Sequence, residues 1–138
     1  MKTRIIIVGT FLMLLLMAVP DTAFANSSGR TGSTDGCGAG SCHSSTTPTV
    51  TPSLSGTPSS GYSAGTTYSL SINASGGPSG TTGGFNLDSS QGVFSNPGPN
   101  AQISLGEVTH TNSNSRAWSV DWTAPPTGSG DVVFYLAV

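Results

Sequence analysis

Residues 50–138 predict an antiparallel β-sandwich, on three observations. Apolar and polar side chains alternate over short runs, which is the two-residue period of a half-buried strand. Turn-forming clusters (GGPSG, NPGPN, TNSNS and PPTGSG) interrupt those runs about every ten residues. No window of useful length carries helical periodicity. Six or seven short strands in two layers are the expected result.

The elements follow in order. Val50 and Leu54 mark a first strand, and Pro52, which has no N–H to donate, assigns it to a sheet edge. In TTYSLSINAS, Tyr68, Leu70 and Ile72 share one face while Ser69, Ser71 and Asn73 share the other. Phe85 and Leu87 form the next run, followed by Val93 with Phe94. Ile103 and Leu105 alternate again, and Val108 opens a short run that ends at His110. AWSVDWTAP puts Trp118, Val120 and Trp122 on one face, as core residues rather than a sugar-stacking platform, with Asp121 turned to solvent. DVVFYLAV is apolar on both faces and reads as a central strand. The chain stops at Val138 inside that run, so a last strand is expected beyond it.

The N-terminus sets the compartment. Lys2 and Arg4 precede an apolar run from Ile5 to Val19, and Ala23-Phe24-Ala25 forms a small-residue cleavage site. This is the pattern of a secretory signal peptide over residues 1–25, and the run is short for a membrane span, which needs roughly 20 apolar residues. Cleavage leaves residues 26–138 as an exported, periplasmic or extracellular domain with no membrane span. Residues 26–49 form a Gly/Ser/Thr-rich segment, expected to be ordered only if ligated, and residues 50–138 form the sandwich.

The mature composition excludes several partners. Arg30 and Arg116 are its only cations, against Asp35, Asp88, Glu107, Asp121 and Asp131. So few cations cannot supply the phosphate neutralisation that dominates nucleic-acid affinity, nor a basic patch for anionic lipid. GYSAG, residues 61–65, matches a hydrolase nucleophile motif, but that motif needs a strand turning into a helix, and here a strand follows. No catalytic role is assigned.

Chemistry concentrates in GCGAGSCHSS. Cys37, Cys42 and His43 stand in the order of a c-type haem attachment site, with a four-residue rather than two-residue spacer. In that reading both thiols bond the porphyrin vinyl groups and His43 ligates the iron. The mature chain lacks methionine, so His110, its only other histidine, is the candidate distal ligand. Bis-histidine ligation gives a lower potential than His/Met, and such a domain needs a redox partner, or copies of itself, to pass electrons on. In a second reading Cys37 and Cys42 form a disulfide, as exported thiols tend to. A zinc site of Cys37, Cys42, His43 and His110 has the right number of ligands, but adjacent Cys42 and His43 fit one tetrahedral ion poorly.

The succession of a signal peptide, GRTGS…CGAGSCHSS, YSAGTTYSLSI, GGFNL, EVTHT and WSVDWTAPPTGSGDVVFYLAV resembles the secreted domains called choice-of-anchor V, which are similar to the Reeler domain of animal extracellular proteins. That resemblance implies an immunoglobulin-like sandwich behind a cysteine segment, commonly of haem-attachment form, and association with the cell surface. It carries over no defined activity. Two functions follow: an exported haem c electron-transfer domain, or a non-catalytic extracellular binding or adhesion module with a Cys37–Cys42 disulfide.

Overall fold

Alternation is strictest in the two longest runs, and these become the centre of one sheet. The computed structural model describes residues 27–32 and 49–138. Eight strands occur among them: β1 (Val50–Ser55), β2 (Thr67–Gly76), β3 (Asn86–Ser89), β4 (Val93–Ser95), β5 (Ala101–Ser104), β6 (Glu107–His110), β7 (Ala117–Thr123) and β8 (Phe134–Ala137). They form two four-stranded sheets, ordered β1-β2-β7-β4 and β5-β6-β3-β8, with every pairing antiparallel. β1 lies against β8, and β5 against β7, across the sandwich.

The inner faces supply the core. Leu70 and Ile72 of β2 sit opposite Val120 and Trp118 of β7, and Phe94 of β4 sits opposite Trp122. Leu87 and Val108 pair on the facing sheet. Trp118 and Trp122 are 4% and 1% exposed, so neither is a surface platform for sugars. Trp122 meets Tyr62 and Phe134 edge-on, at ring distances of 6.1 and 5.0 Å, and its indole N–H donates to the Gln91 carbonyl at 3.1 Å. Pro52 does lie on an edge strand. No described helix is long and apolar enough to cross a membrane.

Two elements differ from expectation. The run from Ile103 to Leu105 does not continue as strand. Leu105 and Gly106 have φ of 52° and 89°, and they form the two-residue turn that joins β5 to β6. Two consecutive positive φ values define a type I′ hairpin, whose twist matches the strands it connects. Leu105 is therefore 92% exposed at the hairpin tip. The second difference is β8, which was expected to be central but occupies a sheet edge beside β3. Phe134 and Leu136 pack on the core, while Val133 and Tyr135 are about half exposed on the other side. Apolarity on both faces here marks one core-facing side and one open side.

Trp122→Ala should cost about 3–5 kcal/mol in urea unfolding, the loss typical of a large aromatic deleted from a closed core. Leu105→Asn should stabilise the fold by about 1 kcal/mol, because asparagine tolerates the left-handed conformation and the leucine buries nothing there.

Candidate functional site

β6 distributes its four side chains between two environments. Val108 points into the core, whereas Glu107 and Thr109 point to the outer face of the sheet. Outer faces of sandwiches normally meet water, yet Thr109 and its cross-strand partner Asn86 are each only 1% exposed. Their cover is residues 27–32. Gln102 Nε2 donates to the Ser28 carbonyl at 2.8 Å and to the His110 carbonyl at 3.2 Å. The Arg30 N–H donates to Thr109 Oγ1 at 3.2 Å, and that hydroxyl donates to the Phe85 carbonyl at 2.8 Å. The Gly32 N–H donates to both Glu107 oxygens, at 2.9 and 3.1 Å, while Asn86 Nδ2 steadies the same carboxylate at 2.8 Å. Buried polar groups need such partners, and here they find them in a peptide lying across the sheet.

Gly29 makes this contact possible. Its φ is +83°, and a Cβ would collide with the His110 carbonyl oxygen and lie 2.8 Å from the Thr109 side chain. An L side chain is excluded there both by conformation and by space.

His110 is held where β6 ends. Its Nδ1 lies 3.0 Å from the Phe85 N–H and 3.2 Å from the Phe85 carbonyl. Gly84 admits the ring, since a Cβ would come within 2.6 Å of it. The two backbone contacts require different tautomers. If Nδ1 accepts from Phe85 N–H, the ring proton sits on Nε2; if Nδ1 donates to the carbonyl, Nε2 carries the lone pair a metal needs. The shorter contact belongs to the first. Phe85 in turn stacks on Trp118 at 4.6 Å, and the Trp118 indole N–H is buried without an acceptor among the described residues.

The ends of the cysteine segment are placed by their neighbours. Gly32 is seated at Glu107, the hairpin end of β6. The Thr49 carbonyl accepts from Gly77 N–H at 3.0 Å, at the opposite end of the sandwich. Arg116 orders that end by donating to the carbonyls of Gly76, Pro78 and Thr82 at 2.7, 2.8 and 2.9 Å. His110 shares this end, because the Gly83 N–H donates to Ser113 and Gly84 packs on the imidazole. Cys37, Cys42 and His43 lie outside the described residues, as does the expected signal peptide. Among the described residues no three His, Cys, Asp or Glu side chains gather where they could hold a metal ion. GYSAG leads into strand β2, with the Ser63 N–H bound to the Tyr68 hydroxyl at 2.8 Å.

The outer face of the other sheet is a field of hydroxyls around one carboxylate. Asp121 is turned outward as expected, and accepts from Ser69 Oγ at 2.7 Å and Asn96 Nδ2 at 3.0 Å. Those two bonds, Ser69 first, hold its pKa below the ordinary 3.8. Sequence reasoning did not find the set of Gln102, Glu107, Thr109 and Asn86. Its one local trace is Asn86 within GGFNL, a polar residue between two apolar ones on a strand whose outer face is covered.

A two-sheet antiparallel sandwich defines the class: an all-β domain with a Reeler-like fold. Solved structures of F-spondin share it. The human F-spondin reeler domain (fragment 1) is similar with a TM-score of 0.52 and 24% identity, over 64% of this chain and 72% of that one. The Reelin-N domain of F-spondin matches with a TM-score of 0.52 and 25% identity, over 64% and 70%. Fragment 2 of the human reeler domain gives 0.51 and 23%, over 64% and 76%. No protein-family model matches the chain, and no curated protein matches it by sequence.

The Asp121 carboxylate contributes stability above pH 3.8 that is lost as pH falls through its lower folded value. Ser69→Ala should raise the Asp121 pKa toward 3.8, read by carboxyl-carbon NMR titration. An unchanged value would show that Asn96 alone sets the shift.

Proposed function

We propose that this protein is a non-catalytic extracellular binding or adhesion module, with Cys37 and Cys42 joined in a disulfide. The observation that carries this reading is the Reeler-like sandwich itself, shared with domains of F-spondin. The secretory pattern of residues 1–25 supports export, and an oxidising compartment favours pairing of two nearby thiols. Recognition by such a module relies on shape and hydrogen bonding, since a mature chain with two cations has little charge for long-range steering.

A second reading rests on one observation. His110 stands at the end of the sandwich where Thr49 leads into β1, six residues after His43 in sequence. Six residues span at most about 20 Å. In this reading haem c is attached through Cys37 and Cys42, with His43 as proximal and His110 as distal ligand. The group, when bound, supplies one-electron chemistry, and a redox partner or further copies of the chain receive the electron. His110 then takes the tautomer in which Nδ1 donates to the Phe85 carbonyl. Its shorter contact with the Phe85 N–H favours the module reading.

Expression in a host with haem-maturation machinery separates the two. The module reading expects a colourless protein whose intact mass is two hydrogens below that of the reduced mature chain. A Soret band with a covalent haem adduct would overturn it. In that event His110→Ala should convert a low-spin spectrum to high-spin, and an unchanged spectrum would remove His110 as a ligand.

A further inference from the structure

The face that seats residues 27–32 has the construction of a receptor for a short peptide backbone. Its contacts fall on backbone atoms at every second residue: the Ser28 carbonyl, the Arg30 N–H and the Gly32 N–H. The stretch is a turn followed by a bend rather than a strand, with Gly29 and Gly32 at φ of 83° and 70°, so the groove holds a shaped backbone. Gln102, Thr109 and Glu107 read those atoms from two adjacent strands, and Asn86 holds the Glu107 carboxylate in place. Gly29 gives the site its selectivity, because only glycine fits against the His110 carbonyl at that φ. The seated stretch, SSGRTG, contains no apolar side chain. Its hold comes from polar contacts at the sheet surface rather than from a buried anchor, so it can be exchanged without opening the core.

We infer that the outer face of β5, β6 and β3 is a docking groove for a short peptide with glycine at the position that Gly29 occupies, and that a second copy of this chain can supply that peptide. The ligand is encoded in every copy. The connection through residues 33–48 is rich in Gly, Ser and Thr and can extend up to about 50 Å. In dilute solution the chain's own segment wins, because a connection this short in sequence gives it an effective concentration on the order of millimolar. Copies crowded on a surface reach the range where one chain's segment occupies its neighbour's groove. This assigns a surface and a partner to the binding role proposed above, yet its test is independent of the spectrum and mass that decide that role.

The test uses the full mature chain carrying Gly29→Val, which unseats the chain's own segment and leaves every groove residue intact. A fluorescent peptide NSSGRTGS should bind this protein saturably in anisotropy titrations, and bind the native protein at least about tenfold more weakly because the groove is filled. The same peptide with valine in place of the glycine that matches Gly29 should not bind. Mixing native and Gly29→Val chains at rising concentration should produce a heterodimer in sedimentation. Absence of peptide saturation up to millimolar concentration, equal binding of the valine peptide, or no heterodimer at any concentration would overturn the inference. If Gly29→Val does not fold, the native protein decides. Excess unlabelled peptide should then speed hydrogen exchange at the Arg30 and Gly32 amides, and unchanged exchange would overturn the inference.

Discussion

The stacking of Trp118 on Phe85 is the contact on which most of the outer architecture depends. Trp118 belongs to the central strand β7 of one sheet, and Phe85 leads into β3 of the other, so the pair spans the sandwich. An aromatic pair at this separation adds to the area it buries and fixes the relative position of its two backbones. The Phe85 main chain then serves as a ruler. Its carbonyl takes the Thr109 hydroxyl, and its N–H meets the His110 imidazole. Thr109 in turn receives Arg30. A core contact thereby sets the geometry of a surface groove through two successive hydrogen bonds.

The same economy of charge runs through the molecule. The Arg116 guanidinium is directed at three backbone carbonyls and orders the loop between β2 and β3. The Glu107 carboxylate is directed at a backbone N–H and an amide side chain, and Asp121 at a hydroxyl and an amide. Charged hydrogen bonds to neutral partners are less sensitive to salt than ion pairs between mobile side chains. A surface built this way keeps its local structure as ionic strength varies, and presents hydroxyls, amides and peptide groups to solvent.

How much of this was legible depends on which atoms carry each contact. β2 and β7 were legible because Leu70, Ile72, Val120 and the two tryptophans alternate with small polar residues, a pattern that side-chain burial writes directly into sequence. Pro52 announced an edge for a different reason, its missing N–H. The β5–β6 turn was hidden because Leu105 occupies a position that Asn, Asp or Gly usually marks, so an apolar residue at a turn read as strand. β8 misled in the opposite direction: an open side carrying Val133 and Tyr135 reads the same as a buried one. The groove was least legible. Its ligand contributes a carbonyl and two N–H groups, which every residue possesses, and only Gly29 leaves a trace. The chemistry of His110 was visible as a residue type, while its dependence on the Phe85 backbone appears only in the folded chain.

Docking of residues 27–32 changes what the cysteine motif is part of. A Gly/Ser/Thr segment at a free N-terminus has one attachment and gains nothing from proximity to the domain. With Gly32 held at Glu107, the stretch that carries Cys37, Cys42 and His43 becomes a closed loop between two fixed points, Gly32 and Thr49, at opposite ends of the sandwich. Most of the entropy lost in closing that loop is incurred by the docking itself, because loop entropy grows only slowly with length. A bond between Cys37 and Cys42 then shortens a loop that is already closed. Shortening would favour the docked state further, since a shorter loop costs less entropy to close. Under the proposed disulfide, pairing of the two thiols and seating of the segment would therefore reinforce each other.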